Sequence, residues 1–547
     1  MQSANVAKLI EERLHARNSA KKARGEVFTP LELVQEMLLG VRRGLLERDG
    51  RVEIWGIDAS GNYFDDDERD RVGGIPMTVW RDPGSKWLDP AGGIGNFLVV
   101  AYGYLDYQLG THGPARLRDA GVRGRHIVEH MLYMFEIDGE NVATARAIFE
   151  GVAAGGAPNM FKKDTLGLDV AAIRKLCGVA KFDVIMGNPP FNSGGVKSSG
   201  TGAGYETLWP HFLLRNGGGE RSGTGGSSRR TFPGALSLLV DGGALCMIHP
   251  SSWMHLGNGE WLNKELLGRE VGIMRAYTNL QSNRLFNYGG AVPCAYYTVF
   301  NRSMVTSSRR KFPYIDVEER LEMLPNKGGM VIFQRYNSLM QAVRLVPTVG
   351  ETGWLTGKGK LSVASAGKTD VGKYEYICQH LAVGVNVCKS SVEPAHFGTP
   401  KILFKGTSKL YHFDDWEGRY GLYGHWGYTL VDPSDTLANL QRMSAFLDTR
   451  FARAIMMATK EDQDFIEPRW LPDVRRLPTS VKMTDAGLCE HFGIPKESLA
   501  TVEKYSNSKK IAKRSVKCGR ETCSGRFSGG GDSNSSKRKT QRIRRLI

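Results

Sequence analysis

The sequence predicts an α/β protein with a largely parallel sheet, followed by a second domain. Three observations predict this fold class. From Gly25 to Phe300, apolar strand-like runs alternate with helical patterns, which indicates parallel strands joined by crossover helices. Several of these runs end in turns rich in glycine or proline, where open α/β sheets bind ligands. After about residue 310 the pattern changes to short, aromatic-rich strands, which favours a separate domain.

Length and composition agree with this interpretation. A chain of 547 residues is too long for one ordinary core. Its 41% hydrophobic and 24% charged residues are typical of a soluble globular protein. No apolar run is long enough to span a bilayer, and the amino terminus lacks the apolar region of a signal peptide. We therefore expect no membrane partner and a cytoplasmic location, or a nuclear one in a eukaryotic host.

The eight cysteines are scattered, as expected for reduced thiols. Cys518 and Cys523 are close in sequence but lack a second Cys/His pair, so we predict no metal site.

The net charge of +16 is concentrated at the carboxyl terminus. Residues 505–547 hold 13 Lys and Arg against two acidic residues, among many serines and glycines. This composition predicts a disordered basic tail. Such a tail suits non-specific attraction to a polyanion, although a solvated tail with no specific role has the same composition.

The stretch DVIMGNPPFN, residues 183–192, combines a strand with an abrupt stop. Phe182 and residues 184–186 read as a buried strand of a parallel sheet. Pro189 and Pro190 cannot donate an N–H to a ladder, and each forces the residue before it into extended geometry. Asn188–Phe191 therefore form a stiff hook that offers an amide, outward carbonyls and an aromatic face.

The stretch KWLDPAGGIGNFLVV, residues 86–100, predicts a strand, a glycine turn and a helix. Its glycines allow a ligand to approach the backbone closely. The turn opens with Asp89 and lacks the G-x-G-x-x-G spacing of dinucleotide sites. An acidic group favours a cationic or hydroxyl-bearing ligand over a pyrophosphate.

Two more acidic positions follow strands. Glu136 ends a strand in LYMFEIDGENVATAR, where a carboxylate can bind ribose hydroxyls. Asp138 can cap the following helix, and both roles are compatible. Asp164, in FKKDTLGLD, resembles an ordinary turn aspartate by itself, but its position between Glu136 and the hook favours a functional role.

Upstream, ARGEVFTPLELVQEMLLGV predicts a helix with a capping box, in which Thr29 is the N-cap, Pro30 the first helical residue and Glu32 the third. An apolar stripe follows, formed by Val34, Met37, Leu38, Val41 and Leu45.

Together these motifs resemble the gamma class of N6-adenine DNA methyltransferases, the S-adenosyl-L-methionine-dependent enzymes of restriction–modification systems. GEVFTP, DPAGGIGNF, EID, KKDTL and NPPF occur in the family's order over roughly 170 residues. The resemblance covers about residues 20–300. It implies a Rossmann-like class I methyltransferase mixed sheet, followed by a mixed α/β DNA target-recognition domain.

The resemblance also implies site residues. S-adenosyl-L-methionine would be bound by Phe28, Thr29, Pro30, Asp89, Ala91, Gly93, Glu136, Ile137, Asp164 and Asn188. Within this set, Asp89 would lie near the cofactor ammonium, Glu136 on the ribose and Ile137 on the adenine ring. The catalytic residues would be Asn188, Pro189, Pro190 and Phe191. Phe191 and Phe286 would stack on the two faces of a flipped base, with Tyr288 as the alternative to Phe286.

Composition and pattern along the chain indicate four regions, and the resemblance implies what the two large ones are. They are an amino-terminal helical arm, a methyltransferase domain with a flexible Gly/Ser-rich loop, a target-recognition domain, and a helical stretch with the basic tail. Their residues are 1–24, 25–310 with the loop at 215–231, 311–485 and 486–547.

Double-stranded DNA is the expected partner, with a separate cognate restriction endonuclease as a further one. An inactive DNA-binding homologue, an RNA adenine methyltransferase and a protein glutamine methyltransferase are the alternatives. No Asp…Glu-x-Lys nuclease motif is evident in the carboxy-terminal region.

Overall fold

A computed structural model describes most of the chain. The described residues are 28–42, 53–54, 71–152, 156–192, 207–215, 231–254, 260–286, 292–303, 311–327, 330–356, 372–381, 384–405, 412–422, 427–434, 436–458 and 470–499. The helical arm, most of the Gly/Ser-rich loop, Tyr288, Cys518, Cys523 and the basic tail lie outside these residues.

The chain divides into two compact units. The first holds the described residues of Met1–Leu355 and Asp432–Asn507, and the second those of Thr356–Lys405 and Tyr411–Val431. The strands of the large sheet in the first unit are β1 (Trp87–Asp89), β2 (Leu132–Glu136), β3 (Asn159–Lys162), β4 (Phe182–Gly187), β5 (Leu239–Pro250), β6 (Arg269–Tyr277), β7 (Cys294–Ser303), β8 (Lys311–Ile315) and β9 (Leu321–Pro325).

The α-helices of the first unit are α1 (Leu31–Leu39), α2 (Met77–Arg81), α3 (Asn96–His112), α4 (Ala120–His126), α5 (Gly139–Val152), α6 (Val170–Cys177), α7 (Trp209–Leu213), α8 (Ala235–Leu238), α9 (Glu260–Leu267), α10 (Asn279–Phe286), α11 (Asn337–Val343), α12 (Leu437–Leu447), α13 (Arg450–Ala458) and α14 (Asp485–Phe492). A π-helical segment, Ile127–Met131, follows α4.

The nine strands lie in the order β9-β8-β6-β7-β5-β4-β1-β2-β3. β1 is parallel to β2 and β4, β2 to β3, and β4 to β5. β7 runs antiparallel to both β5 and β6. This order, with its single reversed strand among the first seven, is the Rossmann-like mixed sheet of class I methyltransferases, so the predicted fold class is confirmed.

Both faces of the sheet are covered by apolar side chains. On β4, Val184 and Met186 join one hydrophobic cluster, whereas Phe182 and Ile185 join the other. Successive residues of a strand point to opposite faces, so a strand covered on both sides is mostly apolar. A register shift in the pairing with β5 lies between Phe182 and Val184, which agrees with their side chains joining different clusters. The prediction of a buried parallel strand here is confirmed by burial of all four side chains.

The start and end of α1 differ from the prediction. The helix begins at Leu31, and the Pro30 carbonyl, not the Thr29 side chain, accepts hydrogen bonds from Leu33 and Val34, both at 3.1 Å. The predicted capping box is therefore wrong. The helix also ends earlier than the predicted stripe, because Gly40 adopts a left-handed conformation with φ 66°. Val41 lies in a two-residue strand instead.

The units divide the chain differently from the sequence-based domains. β8 and β9 lie beyond residue 310, yet β8 pairs in parallel with β6 and extends the first sheet. The helices α12, α13 and α14 also belong to the first unit. A change to short aromatic-rich strands does not distinguish added edge strands from a new domain, so the sequence placed the boundary before β8.

The second unit contains β10 (Tyr374–Leu381), β11 (Gly384–Ser390), β12 (Lys401–Lys405), β13 (His412–Asp415), β14 (Tyr420–Leu422) and β15 (Gly427–Leu430). β12 pairs antiparallel with β13 and β15, and β10 pairs with β11 and β14. A buried ion pair joins Lys401 to Asp415 at 3.3 Å. The Lys401 amino group also donates to the His396 and Gly418 carbonyls. All three of these partners belong to the second unit.

Among the helices of the described residues, none combines the length and apolar character needed to cross a bilayer.

A network of buried and half-buried polar side chains joins α1 to β6 and β7 of the sheet. One Glu36 carboxylate oxygen accepts hydrogen bonds from Arg275 on β6 and, at 3.0 Å, from the Tyr296 hydroxyl on β7. Arg275 is almost fully buried and also pairs with Glu319 at 3.1 Å. Because α1 directly follows Phe28–Pro30, this network helps to fix the position of that segment.

The two partners of Arg275 give a matched test of this network. Glu36→Gln removes the less exposed of the two negative charges and leaves the buried Arg275 with Glu319 alone, which should cost about 3 kcal/mol of unfolding free energy. Glu319 is 54% exposed, so Glu319→Gln should cost less than about 1 kcal/mol. Urea unfolding of the two variants measures the difference, and equal losses would contradict the assigned role of Glu36.

Candidate functional site

The glycine turn after β1 is built around Asp89. This residue is 1% exposed, and its Oδ1 accepts a hydrogen bond from the Ala91 N–H at 3.0 Å. Gly93 and Gly95 have φ values of 54° and 92°, which residues with a side chain rarely adopt. The turn then leads into α3 at Asn96. The local sequence thus places a buried carboxylate at the start of a turn whose residues 91–93 are half-buried.

Glu136, at the end of β2, holds this turn in place. Its Oε2 accepts a hydrogen bond from the Gly93 N–H at 2.9 Å, and its Oε1 accepts one from the Asp138 N–H at 2.8 Å. Asp138 in turn caps α5 through the Glu140 N–H, as predicted. Ile137, between the two acids, is 66% exposed. The turn between β2 and α5 therefore presents a large apolar side chain beside the glycine turn.

The segment Phe28–Pro30 packs on the glycine turn. A Cβ at Gly93 would lie 2.9 Å from the Phe28 ring, so only glycine fits there. The Asn96 Nδ2 donates to the Thr29 carbonyl at 2.7 Å. Thr29 Oγ1 and Asn96 Oδ1 are buried, and neither makes a hydrogen bond within the described part of the chain. Two polar atoms are therefore left at this junction for a ligand.

The hook begins in contact with Asp89. A Cβ at Gly187, the last residue of β4, would lie 2.8 Å from Asp89 Oδ1. Asn188 is half-buried, Pro189 buried and Pro190 exposed. The Phe191 carbonyl accepts a hydrogen bond from the Leu208 N–H at 2.9 Å. The structure thus brings together the glycine turn and the hook, which are almost a hundred residues apart in sequence.

Asp164 lies close to the same turn. Its side chain caps a short 3-10 helix, Thr165–Gly167, by accepting from the Leu166 N–H at 3.1 Å. The next residue, Thr165, donates its hydroxyl to the Pro90 carbonyl at 2.5 Å. The Lys163 N–H donates to the Glu136 carbonyl at 2.9 Å. Asp164 therefore has the capping role of a turn aspartate, next to the predicted site.

The predicted second stacking residue, Phe286, ends α10 and is only 8% exposed. It belongs to the hydrophobic cluster against which Phe191 packs. Its stacking on a base stays a prediction.

Burial dominates the electrostatics of the site. It raises the pKa of Asp89 to about 8, although the Ala91 N–H favours the charged form, and the nearby Glu136 charge raises the pKa further. Asp89 Oδ2 makes no hydrogen bond within the described residues. A cation bound beside Asp89 would offset the cost of its ionisation. Within the same described ranges, no group of three or more His, Cys, Asp or Glu is placed to hold a metal ion.

Two residues of the site were not predicted from the sequence. Asn96 joins the turn to Thr29, and Thr165 joins the Asp164 segment to Pro90. Asn96 follows the last glycine of the turn directly, and this position was the available signal. Thr165 is an ordinary residue of a turn, and nothing in its local sequence indicates a contact with Pro90.

The chain was compared with curated sequences, solved structures and sequence families. A search of curated protein sequences finds no match to this chain. Among solved structures, the chain is similar to the M protein of the type I restriction enzyme EcoKI, with 15% identity over 42% of each chain and a TM-score of 0.29.

Two DNA-bound structures are also similar. The type ISP enzyme LlaGI has 12% identity over 88% of this chain and 46% of its own, with a TM-score of 0.45. The type IIL enzyme MmeI has 11% identity over 80% and 72%, with a TM-score of 0.41. The chain thus spans less than half the length of the EcoKI and LlaGI proteins.

One sequence family matches part of the chain. Residues 157–271, about a fifth of the chain, match the family described as Eco57I restriction-modification methylase. The matched segment contains Asp164, β4, the hook Asn188–Phe191 and β5. This part of the first unit is thus similar to the methylases of restriction–modification systems.

Proposed function

We propose that this protein is a site-specific DNA methyltransferase of a restriction–modification system, which transfers a methyl group from S-adenosyl-L-methionine to N6 of an adenine flipped out of duplex DNA. The observation that carries the proposal is the contact between Gly187 and Asp89. The start of the hook, which suits an amine, would thus lie against a buried carboxylate, which suits a cation. A donor and an acceptor of the methyl group would meet at this edge.

The residues present fit S-adenosyl-L-methionine. Asp89 Oδ2, Thr29 Oγ1 and Asn96 Oδ1 are buried without hydrogen bonds within the described residues. These oxygens can accept hydrogen bonds from an ammonium group. Glu136 would accept from ribose hydroxyls, as strand-end carboxylates do in nucleotide-binding sheets, in addition to the two backbone N–H groups that its oxygens already bind. The exposed Ile137 would offer an apolar surface to adenine.

Phe28, Pro30, Ala91, Gly93 and Asp164 would complete this pocket. When bound, the cofactor supplies a methyl group on a sulfonium, which is already a good leaving group.

The hook orients the acceptor amine. The exocyclic nitrogen of adenine is a weak nucleophile, because its lone pair is conjugated with the ring. Asn188 Oδ1 and the Pro189 carbonyl would accept hydrogen bonds from the NH₂ group and favour a pyramidal nitrogen whose lone pair faces the methyl group. After transfer, the nitrogen loses one proton to solvent. Positioning and electrostatics therefore supply the catalysis, and no strong base is needed.

Adenine inside a duplex cannot reach this hook, so the base must leave the stack. Phe191 would stack on one face of the base and Phe286 on the other. Within residues 311–485, the second unit would read the target sequence through groove contacts while basic side chains hold phosphates.

The amide at position 188 favours adenine N6. If the substrate is RNA or a protein glutamine, or if the protein binds DNA without activity, the DNA in the following experiment would stay unmodified.

The reaction is tested by sequencing DNA with a method that reads base modification. The DNA comes from a host that lacks adenine methylation and expresses this chain. N6-methyladenine should appear at one recurrent sequence and disappear with Asn188→Ala, because the amide that accepts from the target amine is lost. Asn192→Ala is the matched control, since this exposed asparagine lies just beyond the hook. Unmodified DNA with soluble wild-type protein would overturn the proposal.

Cofactor affinity should depend on pH through Asp89. The pKa of this carboxyl is raised to about 8. Below that pH, Asp89 must lose its proton when a cation binds beside it. Affinity for S-adenosyl-L-methionine should therefore rise by up to about tenfold per pH unit between pH 6 and 8 and then level off. Calorimetric titration measures it, and Asp89→Asn should bind weakly with no such rise. A pH-independent affinity in the wild type would contradict this role.

Asp89→Asn should also stabilise the ligand-free protein. Between pH 4 and 8 the folded state keeps a proton that the unfolded chain has released, so wild-type stability falls as pH rises through this window. Asparagine does not ionise, so the variant does not lose stability as the pH rises. The variant should melt at a higher temperature than the wild type at pH 9, and the gap should shrink toward pH 5. If Asp89→Asn melts at a lower temperature than the wild type at pH 9, ionised Asp89 does not destabilise the fold.

A further inference from the structure

A buried aromatic stack lies where the chain returns from the hook. The rings of Trp209, on α7, and His249, near the end of β5, are 4.1 Å apart with their planes at 13°. Both side chains are buried. This is a nearly parallel, close contact between a residue after the hook and a residue on the neighbouring strand.

The His249 ring has one fixed orientation. Its Nδ1 lies 3.0 Å from the Pro250 carbonyl, which can only accept, so Nδ1 carries the hydrogen. Its Nε2 must then accept from the Tyr297 hydroxyl, at 2.9 Å. Burial lowers the pKa of His249 to about 3, so the ring is neutral at physiological pH. Both nitrogens are satisfied, and the ring offers Trp209 a rigid flat surface.

The stack is connected to the hook through the backbone. The Leu208 N–H donates to the Phe191 carbonyl at 2.9 Å, and Asn192 forms an antiparallel bridge with Thr207. Trp209 is the next residue. Its indole therefore anchors the short segment that holds the end of the hook.

The strand register places His249 beside the hook. Gly187 on β4 pairs with Met247 on the parallel β5. His249 is two residues further on, so it lies beyond the end of β4, beside the hook. The hook is therefore bounded by β1 on one side, through Asp89, and by β5 on the other.

We propose that Trp209 and His249 are positioning residues for the reaction. Their stack fixes the exit of the hook, and so sets where the Pro189 carbonyl and the Phe191 ring meet the target base. Neither residue touches the reacting atoms. This inference rests on the proposed function, in which the hook orients the acceptor amine.

The position of the hook matters because the reaction depends on alignment. A displacement of 1 Å in a positioning group can cost about a hundredfold in rate. Removing the indole leaves a cavity against the His249 ring and frees Leu208 to move. Binding of the cofactor should change little, since Asp89, Glu136 and Thr29 lie on other elements. Asn188 lies at the start of the hook, away from the end that Trp209 anchors.

The test compares full-length Trp209→Ala and Trp209→Phe with the wild type. In a single turnover, the alanine variant should transfer methyl groups to DNA at least about tenfold more slowly, with cofactor affinity within about twofold. Phenylalanine restores a stacking ring and should recover the rate to within about threefold. Hydrogen exchange of the Leu208 amide, which reports its bond to Phe191, should speed up in the alanine variant alone.

Trp354→Phe is the control, because Trp354 is fully buried in the same unit but donates to Asp473 instead. Trp209→Leu replaces the alanine variant if that variant does not fold. An unchanged rate or unchanged Leu208 exchange would overturn the proposal, as would an equal loss of rate in Trp354→Phe. If the wild type itself transfers no methyl group to DNA, the proposed function fails, and Leu208 exchange still decides whether Trp209 anchors the hook.

Discussion

The site depends on the contact between a buried carboxylate and a glycine at the edge of the sheet. Asp89 ends β1 and Gly187 ends the neighbouring β4, and a side chain at position 187 would collide with the carboxylate. Burial makes ionisation of Asp89 costly unless a cation lies beside it. The ligand-free fold thus keeps a carboxylate in an unfavourable environment. That is the expected condition of a group whose partner is a bound ligand.

Hydrogen bonds between side chains and the backbone hold this edge together. Glu136 accepts from the glycine turn, Thr165 donates to Pro90, and Asn96 donates to the Thr29 carbonyl. Each bond joins two segments that are distant in sequence. The carboxyl ends of β1, β2 and β4 and the segment before α1 therefore form one preorganised surface. Preorganisation suits a reaction that relies on alignment more than on acid–base chemistry.

Two networks away from this edge support it. Glu36 and Arg275 connect α1 to β6, which fixes the approach of Phe28–Pro30 to the glycine turn. The Trp209–His249 stack connects the exit of the hook to β5. The parallel strands position the start of each loop, and these buried side chains determine where the loops end.

The sequence by itself determined the parallel sheet, the buried strand before the hook and the strand-end positions of Asp89 and Glu136. These features follow from local patterns: apolar periodicity, glycines in a turn and prolines that stop a ladder. The contacts of Asn96, Thr165 and the Trp209–His249 stack join distant segments. Only Asn96 had a local signal, its position directly after the last glycine of the turn. The predicted helix cap at Thr29 was wrong, and the predicted domain boundary before β8 differs from the division into two compact units. Only the tertiary structure decided these points, because hydrogen bonds and strand pairing between distant residues outweigh local preference.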